Sequence, residues 1–143
     1  MRERRFITKV REKVDAEFDQ EQLWLITLIH RAAPTNMSVL HEDVAGFLRR
    51  LGDDCSAPLR YIAVPRSFYG LYDCHVLTDM PETGLLDVNA DYAEKLWPHG
   101  AIWARTLPYY RVPELARYWA VDEVSREGMW MSRRKEDADI SSV

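Results

Sequence analysis

The sequence predicts an α+β domain: a four-stranded antiparallel sheet with helices on one face and extra helices at the chain ends. Three observations predict it. Short apolar runs rich in large side chains alternate with segments whose apolar residues recur at helical spacing. Two of those runs are separated by only five residues, as in a hairpin. And 143 residues, 47% hydrophobic and 11% aromatic, are enough for one packed core in a single-domain length.

Taken in order, residues 1–21 begin basic, with six basic and two acidic side chains among the first thirteen. They then turn acidic through Glu12, Asp15, Glu17, Asp19 and Glu21. Val10, Val14 and Phe18 recur every fourth residue, so this stretch is either a flexible basic arm or a helix. Residues 22–30 (QLWLITLIH) read as a buried strand broken by Ala32-Ala33-Pro34. A helix follows from Asn36 or Ser38, either of which can cap it. Leu40, Val44, Phe47, Leu48 and Leu51 line one face of it, and Gly52 suits its end. Residues 59–65 and 71–79 are the two strands of a hairpin turned by 66–70. After a loop at Met80–Gly84, a short helix spans 87–96, with Asp87 as its cap and Val88, Tyr92 and Leu96 on one face. Pro98 and Gly100 end it, and residues 100–106 form the fourth strand. Pro113 fits the first turn of a third helix that runs to about Val124 and carries Leu115, Tyr118 and Trp119. The charge-rich end from Gly128 is expected to fray. The organisation is therefore an arm or helix over 1–21, an α+β domain over 22–127 and a charged flexible tail over 128–143.

Between the terminal segments the order is β-α-β-β-α-β, the ferredoxin-like order shared with RNA-recognition-type domains. Its first and third strands are central, and helices on one face would leave the other face open for a site. On the third strand Leu71, Asp73, His75 and Leu77 point one way and Tyr72, Cys74, Val76 and Thr78 the other. The second set reads as the helix-covered face, with Cys74 a small buried residue. Asp73 and His75 then share the other face. A carboxylate and an imidazole at that spacing can ligate one divalent metal, or the carboxylate can orient the ring. They can equally be a polar pair on a solvated face. Leu115, Tyr118 and Trp119 are similarly open to a plain reading, as the residues that pack the last helix onto the sheet. The other histidines, His30, His41 and His99, show no ligand spacing.

Composition excludes several classes. The longest apolar run, Leu23–Ile29, is interrupted by Thr27 and is far too short to span a bilayer. No signal-type apolar core follows the charged N-terminus, so a cytoplasmic protein is expected. Cys55 and Cys74 lack metal-ligand spacing and are expected to be free thiols there. The net charge of −4 argues against a general nucleic-acid coat protein. That charge is unevenly spread: residues 1–13 are +4, and residues 53–99 are −5. The cations are 15 Arg and only 4 Lys, and Arg is the better residue for bidentate phosphate contacts, although codon bias in a GC-rich host gives the same excess.

The stretch GLYDCHVLTD resembles the second motif of the HUH-superfamily rolling-circle replication initiators of plasmids and phages. In that motif two histidines flank a bulky apolar residue on a central strand, after a glycine. Setting Gly70 on the glycine puts Asp73 on the first histidine, Cys74 on the apolar residue and His75 on the second. Further segments are similar in order and spacing: LWLITLIHR, LHEDVAGFLRRL, PLRYIAVPRS, the Trp-x-x-Gly turn of LWPHGAIWARTLP, and LARYWAVDE as the tyrosine helix with Tyr118 at the nucleophile position. The resemblance spans roughly residues 22–122. It implies a single-stranded DNA nicking and replication-initiation protein, with Mg²⁺ or Mn²⁺ held by Asp73 and His75 and with Tyr118 attacking the scissile phosphate. Arg66, Arg105, Arg111 and Arg117 would position phosphates. The resemblance also carries departures. Aspartate replaces the first histidine, and Arg66 falls where a third, acidic ligand is often found. Val121 and Asp122 stand where a lysine and a second tyrosine are usual. The alternative is therefore a catalytically dead HUH-like scaffold acting as a binding or inhibitor protein of a mobile element, with a host or replication protein as its partner. A third is a ferredoxin-like domain that shares only topology with these proteins.

Overall fold

The apolar run at Trp24–His30 forms strand β1, and Tyr61–Phe68 and Leu71–Thr78 form the hairpin strands β2 and β3. Gly100–Thr106 is β4. The computed structural model describes residues 1–79 and 89–134. Helix α1 spans Glu3–Glu17, α2 Met37–Asp53, α3 Ala90–Leu96, α4 Val112–Ala120 and α5 Glu123–Gly128. A two-residue strand, β5 (Trp130–Met131), completes a five-stranded antiparallel sheet in the order β4-β1-β3-β2-β5. The expected central pair, β1 and β3, sits in the middle of it.

Local chemistry sets the element ends. The Asn36 side chain caps α2 by accepting from the Ser38 amide at 2.8 Å. Asn89 does the same for α3, accepting from the Tyr92 amide at 3.0 Å. The cap expected at Asp87, Val88 and the loop Met80–Gly84 lie outside the described residues. Tyr69 and Gly70 both have positive φ, 51° and 78°, which turns the β2–β3 hairpin tightly. The Trp-x-x-Gly segment locks β4 onto β1. The Trp97 indole donates to the Ile29 carbonyl at 3.1 Å, and the Arg31 amide donates to the His99 carbonyl at 2.9 Å. A Cβ at position 100 would lie 2.1 Å from the Ile29 carbonyl oxygen, so only glycine fits where the chain enters β4.

Helices cover both faces of the sheet, not one. On the first face Ile26, Leu28, Ala63, Cys74 and Val76 pack under α2 and α3, as the strand alternation predicts. On the second face Leu25, Ile62, Val64 and Leu77 pack under Phe6, Val10 and Val14 of α1 and Ala116, Trp119 and Ala120 of α4. The expectation of an open face fails because its residues are apolar toward one end. A row of buried Leu, Ile and Val must be removed from water, and the two terminal helices do this. Residues 1–21 therefore supply a packed helix and not an arm.

The opposite end of that second face stays uncovered. By register Phe68 faces Leu71, Arg66 faces Asp73, and Trp103 faces Thr27 beside His75. Phe68, Leu71 and Trp103 are all exposed. The single helix expected from Pro113 to Val124 is two helices, because Asp122 caps a second one through the Val124 amide at 2.9 Å. The expected fraying from Gly128 does not hold at Trp130–Met131, where β5 pairs with Ile62 and Ala63. No helix among the described residues is long and apolar enough to cross a membrane.

Candidate functional site

Asp73 and His75 occupy one face of β3, as the two-residue period requires, and α4 brings Tyr118 to the same end of that face. The helix is aimed by its corner with α5. Asp122 accepts from the Ser67 amide at 2.8 Å, and Ser125 donates its hydroxyl proton to the Pro65 carbonyl at 2.7 Å. Both contacts fix the α4–α5 corner to β2. On α4, Trp119 is buried while the adjacent Tyr118 is 59% exposed. The packing reading therefore holds for Trp119 and fails for Tyr118.

Arg66 is the hub. Its Nε and Nη2 donate to the two oxygens of Asp73 at 2.9 and 2.7 Å, a bidentate pair across the β2–β3 ladder. Its Nη1 donates to the Tyr118 hydroxyl at 3.1 Å. Burial works against the guanidinium charge, but the Asp73 carboxylate outweighs it and Arg66 holds its proton more tightly than usual. A cleft of about 290 Å³ opens here, lined by Arg66, Phe68, Asp73, Tyr118, Val121 and Asp122 among others.

His75 is buried, at 7% exposure, and its Nδ1 accepts the Trp119 indole N–H at 2.8 Å. Indole can only donate, so Nδ1 is the bare nitrogen and the neutral ring carries its proton on Nε2. Burial lowers the imidazole pKa from 6.5 to about 3, with the positive charges of Arg66 and Arg105 adding to it. His75 is therefore neutral, with its one N–H at Nε2. It lines a second cleft of about 290 Å³ with Arg105, Arg111, Glu114, Leu115 and Tyr118. Tyr118 thus stands between the two clefts.

The metal implied by the family resemblance can be tested against these contacts. A ligating histidine must offer a lone pair, and His75 offers none outward: the lone pair of Nδ1 accepts the Trp119 N–H and Nε2 carries the ring's own proton. Asp73 offers its carboxylate to a guanidinium, so a dication beside it would sit against a fixed positive charge. No group of three or more His, Cys, Asp or Glu side chains among the described residues is arranged to hold a metal ion. The residues present do not fit a divalent metal at Asp73 and His75.

The remaining expected phosphate contacts divide. Arg66 is internally paired, while Arg105 and Arg111 meet at the second cleft. Arg117 lies exposed on α4 beside Tyr118 and lines neither of the two clefts. Sequence reasoning missed the Arg66–Asp73 lock and the Trp119–His75 contact. Both partners of each pair were visible as residues, but the pairing depends on register and on the rotation of α4. It also missed a cluster at the C-terminal end of β1, on the face covered by α2. Asp43 accepts from His30 at 2.8 Å and lies 3.6 Å from the His99 ring nitrogen, with the two imidazoles stacked. Cys74 is buried in the first core, where desolvation pushes its thiol pKa well up, so it is inert as a nucleophile.

No protein-family model, curated protein or solved structure matches the chain.

Proposed function

We propose that this is a metal-independent single-stranded DNA-binding protein, built on a ferredoxin-like, HUH-like scaffold that has lost metal-dependent nicking. The observation that carries the reading is the Arg66 fork on Asp73. A fixed guanidinium stands where the resemblance calls for a divalent cation, and it reaches the Tyr118 hydroxyl as well. The site keeps what binding needs: exposed aromatic rings at Phe68, Trp103 and Tyr118 for base stacking, and Arg105 and Arg111 for phosphates. Its imidazole offers no lone pair to a metal and its carboxylate already faces a guanidinium, which disfavours metal-assisted phosphate activation. The acidic balance of the chain confines this binding to one local face instead of the whole surface.

Fluorescence anisotropy with a labelled oligothymidine tests the reading, run in EDTA and again in Mn²⁺, with a denaturing gel of the same mixtures. The expected result is equal affinity in both buffers, weakening steeply with added salt, and no covalent protein–DNA band. Absence of binding in both buffers, or a Mn²⁺-dependent covalent band that Tyr118→Phe abolishes, overturns it. The second result would reinstate the nickase.

A further inference from the structure

The second cleft has a composition that the pairing at Arg66 does not explain. Arg105 comes from β4 and Arg111 from the turn that leads into α4, and both side chains are exposed. Among the described residues neither guanidinium is ion-paired or hydrogen-bonded through its side chain. Glu114 is the carboxylate in the cleft, so two positive charges stand against one negative. The cleft wall adds two neutral groups: the buried His75 ring, whose free N–H is Nε2, and the Tyr118 hydroxyl. This is a donor-rich concavity with one positive charge in excess.

Trp103 stands two residues before Arg105 on the same face of β4, about 7 Å away along the strand. It is 63% exposed, and by register it ends the row that runs through Thr27 to His75. A ring this large on an edge strand, with no helix over it, has one face available for stacking.

We infer that this cleft seats one internal phosphodiester of a bound single strand, with the adjoining base stacked on Trp103. The inference rests on the DNA-binding reading above and names where that binding is centred. The charge selects the ligand. An internal phosphodiester carries one negative charge and balances the cleft, whereas a terminal phosphate carries nearly two and leaves an excess against Glu114. The neutral His75 contributes a directed N–H without adding charge. The separation between Trp103 and Arg105 lies within the reach of one extended nucleotide, so a base and its neighbouring phosphate can be engaged together.

The test compares three proteins, the wild type, Arg105→Gln/Arg111→Gln and Trp103→Ala, each confirmed folded by circular dichroism. Each is titrated over a range of salt with oligothymidine carrying or lacking a 5′-phosphate. The inference predicts that the double Arg variant binds at least ten-fold more weakly and has a salt slope shallower by about 0.7, the loss of one single-strand phosphate contact. Trp103→Ala should also bind roughly ten-fold more weakly but with an unchanged slope, because stacking releases no counterions. The 5′-phosphate should make no difference. If the wild type binds and the variants match it in affinity and slope, the seat is wrong while DNA binding stands. A wild-type preference for the 5′-phosphate that the double Arg variant loses overturns the phosphodiester assignment. A wild-type chain that binds no oligonucleotide at all removes both the seat and the reading beneath it.

Discussion

His75 shows how one hydrogen bond decides the chemistry of a residue. Its spacing from Asp73 was legible in the sequence, and so was its face of β3. Its partner was not, because Trp119 is 44 residues away and meets it only when α4 lies across the sheet. That partner fixes the tautomer and closes the ring to metal. It also makes His75 an acid-labile point of the fold. Below the ordinary pKa of 6.5 the unfolded chain takes up a proton at this ring, while the native ring stays neutral down to about 3. Acid therefore favours unfolding across that window, by about 1 kcal/mol per pH unit. His75→Asn keeps an acceptor for the Trp119 indole and removes the titration. In urea melts between pH 7 and pH 5, the variant should lose less stability than the wild type. An equal loss in both proteins would show that His75 is not the group responsible.

At the scale of elements, the sequence was most legible where a pattern is local and least where pairing is distant. The hairpin, the β1 run and the face of α2 follow from spacing alone, and they place Asp73 and His75 together. The Trp-x-x-Gly segment was legible as a boundary, and the structure supplies its mechanism. Gly100 enters β4 under the Ile29 carbonyl, with Trp97 and His99 tying the same turn to β1. Gly100→Ala places a methyl group inside a backbone contact that cannot relax without breaking the β1–β4 ladder. The expected cost is about 3 kcal/mol or more, larger than any helix-cap substitution in the chain. Thermal melts of Gly100→Ala beside Asn36→Ala check this. The alanine at 100 should lower the melting temperature by clearly more than the alanine at 36. The short β5 escaped prediction because two residues carry no periodicity, and Trp130–Met131 became a strand only through the edge that β2 left free.

At the scale of the whole molecule, the main revision concerns what covers the sheet. The sequence read as a sheet open on one entire face. The protein instead buries one end of that face under α1 and α4 and leaves the other end exposed, with the two candidate clefts meeting at Tyr118. The cause lies in the face itself, apolar at Leu25, Ile62 and Leu77 and polar at Arg66 and Asp73. The chain ends pack over the first part, and their packing sets the position of Tyr118 over the second. The −4 net charge does not oppose the proposed nucleic-acid role, because that proposal rests on the two arginines of the second cleft and not on the whole surface. The metal-independence of that proposed role depends on Arg66 acting as the cation at Asp73. Calorimetric titration of Mn²⁺ into the wild type and into Arg66→Ala tests this most directly. The account predicts no saturable Mn²⁺ binding by the wild type below the millimolar range, in keeping with a guanidinium held on Asp73. Stoichiometric micromolar binding by the wild type that Asp73→Asn abolishes would contradict it.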